Sequence, residues 1–411
     1  MFKNYLITFW KVLQRHKFFT FVSIFGISIT LMVLIVLSAV YDSTFGSHGP
    51  EKNNDNLLYI FGGTFTHDKN NYTSRGATSY YFFDQTIKKM KTPKRVSIIS
   101  LPSSVACYSG DRKITAMRKQ TDAAFWEILD FDFLRGKPFT QQDVDLANRL
   151  TVLDRSMAMD YFGTLDCLGQ TIKIDGMNFT VCGVVEETSI NRTFAFANIY
   201  QPFTTAGNSY LDKKTNGSFV GLIEAVNQSD LDEIKAEYQK TLKTFPFPDP
   251  ERWNQVSSYA DSYLEQFTRL LLGGGESTNI GLFIVGLAVM ILLFMSFPAL
   301  NLVNINITRI LERASEIGIR RSFGASVKTL LLQFLVENVL LTMIGGLIGF
   351  FLALAVVWII NTSGIFPYFF LTVNFAVIVY ALILSILFGI LSGVYPAFRM
   401  AKMNIVNALK S

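Results

Sequence analysis

Few residues in this 411-residue chain are arranged for chemistry. Hydrolysis would call for a nucleophile, an imidazole and a carboxylate held together, and nucleotide hydrolysis for a glycine-rich loop ending in lysine. His16, His48 and His67 are the only histidines, and neither H-E-x-x-H nor G-x-S-x-G occurs. Gly273-Gly274-Gly275 lacks the lysine and the strand-to-helix setting of a phosphate loop. No catalytic residue is therefore predicted, and no ATP hydrolysis by that route. His67-Asp68 with His48 could hold a metal, but polar loop histidines are ordinarily solvated, so no metal site is predicted. What remains is charge placed where charge is costly. One such place is the stretch Arg309–Lys328 between two long apolar runs; the other is Glu337, near the inner end of the apolar stretch that follows it.

Within the charged stretch, Ile310, Ala314, Ile317 and Arg321 recur at helical spacing, while Glu312, Arg313, Glu316 and Arg320 fill the other faces. The helix should end at Gly324, because glycine accepts the left-handed turn that ends helices. Ser326 can then cap the next helix. The chemistry on offer is docking by ion pairs: a short charged helix that a partner can grip. The alternative is a solvated loop that is basic only because of its side of the membrane.

The elements that would position this helix follow from hydropathy. Half of the residues are apolar and 37 are phenylalanine. Phe18–Tyr41, Asn279–Thr308, Asn338–Asn361 and Phe369–Phe398 are each long enough to cross a bilayer core of roughly 30 Å. They predict spans over 18–41, 279–308, 330–361 and 369–396. The first is too long and too apolar for a secretory signal. Lysine and arginine dominate 1–17, 309–328 and 399–411, which places both termini and the central loop in the cytoplasm and 42–276 outside. The outer stretch carries 29 acidic against 25 basic residues, so the overall +5 reports topology and not nucleic-acid binding. Residues 1–17 carry Tyr5, Leu6, Phe9, Trp10 and Leu13 on one stripe, as in a cytoplasmic amphipathic helix lying on the membrane; a plain basic flank is the alternative. Pro298 and Asn301 are expected to kink the second span. Gly345, Gly346 and Gly349 should let the third pack closely against a neighbour.

Residues 42–276 predict an α+β domain. Gly46–Asn56 reads as a linker, Leu57–Phe61 and Val96–Ser100 as strands, and Phe82–Met90 as a short helix. Ser229 is expected to cap a helix with Leu231, Ile234, Tyr238 and Leu242 on one face, and Trp253–Leu272 to form another that runs toward the membrane. Between about 127 and 201 an inserted lobe is marked by a helix near Ser156–Phe162 and a hairpin turning at Asp175-Gly176, with Phe179–Val185 as its return strand. Cys107, Cys167 and Cys182 all fall in this outer domain. Cys167 and Cys182 are the nearer pair, and buried free thiols are the alternative.

The wording of several segments resembles one family. Glu316-Ile317-Gly318-Ile319-Arg320-Arg321 followed by Phe323-Gly324-Ala325 resembles the EIGIR…GA signature of MacB/FtsX-like ABC transporter permeases, at the same place between spans. Gly136-Lys137-Pro138-Phe139, Leu168-Gly169-Gln170-Thr171-Ile172 and Phe179–Val185 resemble the MacB-type periplasmic domain, in which a β-rich sabre lobe is inserted into a porter lobe; Lys137 stands where arginine is usual. Tyr395-Pro396-Ala397-Phe398-Arg399 and Ala408-Leu409-Lys410 resemble the family's closing segment. Asn404-Ile405 and Asn407 replace its usual Asp-Pro and Glu.

The resemblance implies a membrane protein of four transmembrane α-helices with a large α+β extracytoplasmic domain, porter-like with an inserted sabre-like lobe, between the first two. A coupling helix at 309–328 and a cytoplasmic C-terminal helix at 397–411 would complete it. Arg313, Glu316, Ile317, Gly318, Arg320, Arg321 and Gly324 would engage a separate cytoplasmic ATPase subunit, which would hold MgATP, with no cofactor on this chain. Glu337, Gly345, Gly346, Gly349 and Pro396 would serve packing or coupling. The implied partners are a second permease copy, identical or related, and a periplasmic adaptor with an outer-membrane component, all at a bacterial inner membrane. Efflux or extraction of a peptide, antibiotic or lipid-linked cargo would be driven through a stiff lever, one helix continuous from Leu272 to Arg309 apart from Pro298. A regulator of a periplasmic cell-wall hydrolase and a receptor without an ATPase are the alternatives.

Overall fold

The computed structural model describes residues 17–47, 49–69, 72–273, 278–294, 296, 319, 326–373, 378–380, 383, 386–387 and 390. The chain divides into two compact units. One comprises 1–43, 281–367 and 371–411, the other 44–280 with Tyr368–Phe370.

The apolar unit contains the helices Lys17–Phe45 and Val327–Thr362, each long and apolar enough to cross a membrane, and the shorter apolar helix Ile280–Phe294. Helices hydrophobic on all sides suit lipid, where every backbone polar group must be bonded within its own segment. Ser326 caps Val327–Thr362 by accepting the Thr329 N–H at 3.2 Å, in the role that its position after Gly324 predicts. Most of the fourth apolar run, and the second beyond Phe294, lie outside the described residues.

The polar unit holds three sheets among its described residues. In the first, β1 (Leu57–Ile60) and β4 (Arg95–Ser100) flank β12 (Phe219–Glu224), all antiparallel. Every residue of β12 is buried, the apolar run Phe219–Ile223 as its hydropathy requires and Glu224 as the ion-pair partner of Lys94 and Arg95. The helices Tyr80–Gln85 and Leu231–Lys243 contribute Phe82, Phe83, Ile234, Tyr238 and Leu242 to the core at this sheet. The second sheet runs in the order β7 (Phe133–Gly136), β10 (Met177–Val185), β8 (Leu150–Asp154), β11 (Ile199–Pro202), β6 (Arg112–Thr121), β5 (Ser103–Ser109), β9 (Thr171–Ile174). Because β9 also pairs with β10, the sheet returns on itself and leaves few open edges. Ile172, Ile174, Phe179 and Val181, at alternate positions, fill its own core with Cys107 and Cys167. The third sheet joins β2 (Gly63–Thr66) to β3 (Thr73–Gly76) and β13 (Gln255–Ser257).

The structure differs from the sequence expectations at several places. The β-rich lobe begins at β5, ahead of the expected 127, because the β5–β6 hairpin pairs through β6 with β11 in parallel register. Trp253–Leu272 is not one helix. Trp253 is buried beside Phe65, Val256 pairs with Phe65 in β13, and the helix begins only at Tyr263, after a capping box from Ser262 to Glu265. This helix ends at Gly273 in a left-handed turn (φ 64°), and Asn279 is left-handed as well, so no single helix is continuous from Leu272. The cap expected from Ser229 is not formed; Asn227 with Asp230 makes a capping box on the 3-10 turn Gln228–Asp230 that leads into the helix Leu231–Lys243. The expected linker 46–56 contains two short 3-10 turns and buries Glu51. All three cysteines are free thiols.

Candidate functional site

Arg313, Glu316, Ile317, Gly318, Arg320, Arg321 and Gly324, together with Pro396, lie outside the described residues. Glu337, Gly345, Gly346 and Gly349 lie on the helix Val327–Thr362. There the Ser28 hydroxyl of helix Lys17–Phe45 donates to the Gly345 carbonyl (2.9 Å) and the Ile24 carbonyl (2.7 Å). A Cβ at Gly345 would come within 2.8 Å of Ile27 Cγ2, and one at Gly349 within 2.6 Å of the Ser28 carbonyl oxygen. Small residues thus let two backbones touch where lipid offers no hydrophobic drive to pack helices. Ile27, Leu31, Leu34 and Leu341 close this seam. Gly346 is half-buried. Glu337 is buried and accepts from the Gln333 amide one turn earlier (3.2 Å). Gly349→Ala should therefore destabilise the helix pair by about 1–3 kcal/mol, since a backbone oxygen cannot rotate away as a side chain can. Gly286→Ala, with nothing within 4 Å of its Cβ, should match the wild type. Monodispersity in detergent after graded heating measures both.

The polar unit contains a buried ionic cluster that sequence reasoning missed. Glu51, fully buried, accepts from Arg192 Nη1 at 2.8 Å, while Arg192 Nη2 donates to the Gly46 carbonyl at 2.7 Å. Lys119 on β6, also fully buried, donates to the carbonyls of Thr193 (2.7 Å) and Phe194. Burial pushes the Glu51 carboxyl above its ordinary range, with Arg192 opposing the shift. Burial likewise pushes the Lys119 ammonium down to about 7, with Glu51 opposing. Glu51 Oε1 has no hydrogen-bond partner among the described residues. Three charges from positions 51, 119 and 192 meet only through tertiary folding, so no local spacing could have signalled them. The Lys119 amine is fully buried and occupied by two backbone carbonyls, so what the arrangement can do is fix the geometry of the segments it joins.

A second ionic group braces the helix Tyr263–Leu272. Arg269 forks onto Asp261 at 2.6 and 3.0 Å and lies 3.8 Å from the Tyr259 ring centroid, and Lys235 binds Glu265 at 2.8 Å. His67 Nδ1 lies 3.2 Å from Asp68, and among the described residues no three His, Cys, Asp or Glu side chains are grouped for a metal.

Residues 20–241 match the family model of the MacB-like periplasmic core domain, and residues 281–405 that of the FtsX-like permease C-terminal region. The uncharacterized ABC transporter permease YknZ of Bacillus subtilis is 26% identical over 337 residues, covering 80% of this chain and 79% of its own. The macrolide export ATP-binding/permease protein MacB of Campylobacter fetus is 27% identical over 67% of this chain and 40% of its own. The pyoverdine export ATP-binding/permease protein PvdT of Pseudomonas aeruginosa is 25% identical over 98% of this chain and 58% of its own. The chain thus spans about half the length of these two ATP-binding/permease relatives. Among solved structures, the extracellular domain of YknZ aligns with TM-score 0.37 at 17% identity, over 49% of this chain and 99% of that one. The periplasmic region of MacB from Actinobacillus actinomycetemcomitans aligns with TM-score 0.38 at 19% identity, over 52% and 92%.

Proposed function

The chain belongs to the MacB/FtsX-like ABC transporter permease family, and from that premise we propose that it is a permease subunit passing ATP-driven motion of a separate cytoplasmic ATPase to its periplasmic domain. The observation that carries this reading is the charged stretch 309–328, placed between apolar runs inside the FtsX-like match. In this reading Arg313, Glu316, Ile317, Gly318, Arg320, Arg321 and Gly324 form the docking helix. The ATPase holds MgATP, and two permease copies, identical or related, act together in a bacterial inner membrane with both termini cytoplasmic. The cargo is a peptide, an antibiotic or a lipid-linked molecule, exported or extracted with a periplasmic adaptor and an outer-membrane component. The seam at Gly345 and Gly349 supports the reading by supplying a tight helix pair able to move as one body.

Glu316→Lys combined with Arg320→Glu inverts both charges while keeping an ion pair one turn apart, so the helix itself should survive. ATPase co-purification and transport should both be lost while membrane insertion stays normal. A doubly inverted chain with wild-type co-purification and wild-type ATP turnover would overturn the assignment.

A further inference from the structure

We propose that Ser189–Phe196 is a relay that transfers movement of the chain segments continuous with the apolar runs to the inner strands of the seven-stranded sheet; it rests on the permease reading above. Each residue pair in this short segment is bonded to a different part of the polar unit. Ile190 N–H donates to the Tyr368 carbonyl at 2.7 Å, Phe370 N–H donates to the Ser189 hydroxyl at 3.0 Å, and the Tyr368 ring packs on Phe196 with centroids 5.5 Å apart. Tyr368 ends the connection between the third and fourth apolar runs, and Phe370 lies at the start of the fourth. Next along the chain, the Asn191 amide donates to the Thr44 hydroxyl at 2.9 Å, and Arg192 bridges Glu51 and the Gly46 carbonyl. Those partners follow the first apolar run. The Asn191 carbonyl also accepts from the Tyr263 hydroxyl, on the helix that precedes the second run. Thr193 and Phe194 then hold Lys119 on β6, and the Phe194 ring lies 4.6 Å from that of Tyr59 on β1.

Three separate connections to the apolar helices therefore converge on one segment whose six residues Ser189–Phe194 reach at most ~20 Å when extended. Its far end is anchored on an inner strand of the sheet. Of these bonds the Arg192–Glu51 pair and the Lys119–Phe194 bond are buried, and a buried guanidinium cannot leave its carboxylate without stranding a charge. Displacing one connection therefore shifts the segment as a block, a stiff element of the sort that coupling between distant sites requires.

The test uses the full chain co-purified with its ATPase, and compares hydrogen–deuterium exchange with and without MgATP plus vanadate. In the wild type, nucleotide should change exchange in β6 and β11. Ser189→Ala with Tyr368→Gly removes the hydroxyl and the ring, while glycine keeps the left-handed backbone of Tyr368 (φ 62°). Arg192→Lys retains a cation but cannot bridge Glu51 and Gly46 together. Both variants should bind the ATPase at the wild-type ratio and lose the nucleotide-dependent change in β6 and β11. Equal nucleotide-free exchange establishes that the fold is kept, and Ser189→Ala alone replaces the double variant if it is not. A variant that retains the full change overturns the relay. A wild-type response elsewhere in the polar unit but not in β6 and β11 overturns the relay and leaves the permease reading intact. No response anywhere in the polar unit overturns the permease reading, and the relay with it.

Discussion

Arg192→Met should lower the stability of the polar unit by about 3–5 kcal/mol, because it leaves the Glu51 carboxylate buried with no countercharge bonded to it. Arg192 and Glu51 are 5% and 0% exposed in their side chains, so water cannot take over the lost contact. At about 2–4 °C per kcal/mol for a domain of this size, the melting transition should fall by on the order of 10 °C. Tryptophan fluorescence reports it, since Trp126 and Trp253 both pack in the core of this unit. Glu51→Leu combined with Arg192→Met should regain part of the loss, because replacing both partners by apolar groups removes the stranded charge. A wild-type melting temperature in Arg192→Met alone would show that the pair contributes no more than a surface ion pair.

The second large effect is a dependence on pH. Lys119, held down to about 7 by burial, is neutral in the folded protein over a range in which the unfolded chain, with lysines near 10.4, still binds the proton. At this group the unfolded state therefore holds more protons, and the Lys119 contribution to stability rises with pH above about 7, with a slope approaching ~1.4 kcal/mol per pH unit. The clearest window is about pH 7.5 to 8.5. Asp154, raised to about 7 by burial, contributes a slope of the opposite sign that fades above pH 7 and is common to wild type and variant. Cys107 and Cys182, raised to about 11 and about 12 by burial, and Cys167, raised as well, oppose the trend increasingly across the window as unfolded thiols ionise near 8.5, so the Lys119 contribution is read as the difference from a variant that lacks it. Denaturant unfolding of the full chain in detergent should show the stability of wild type relative to Lys119→Met climbing across the window, by about 1 kcal/mol. An equal slope in the two proteins would remove Lys119 as its source.

These effects arise from residues that no sequence pattern marked, whereas other parts of the molecule were plain from the chain alone. Long apolar runs, the Asp175-Gly176 hairpin and the Ser326 cap are local signals, since each depends on a few neighbouring residues and a fixed backbone geometry. The wording from Glu316 to Ala325 placed the chain in its family for the same reason. The helix expected over Trp253–Leu272 failed because a nonlocal contact won: pairing of Val256 with Phe65 and burial of Trp253 draw its first half into a sheet. The lever expected from Leu272 to Arg309 failed at Gly273, where a left-handed turn ends the helix.

By itself the sequence determined which segments suit lipid, and the family, because hydropathy and motif wording are properties of contiguous residues. The tertiary structure alone decided that Gly345 and Gly349 meet Ser28, that Glu51 meets Arg192 beside Lys119, and that Tyr368 packs with Phe196. Those partners are separated by between 70 and 320 positions, roughly, and what brings them together is the closing of sheets and helices around shared cores, where burial fixes the partner of every charge.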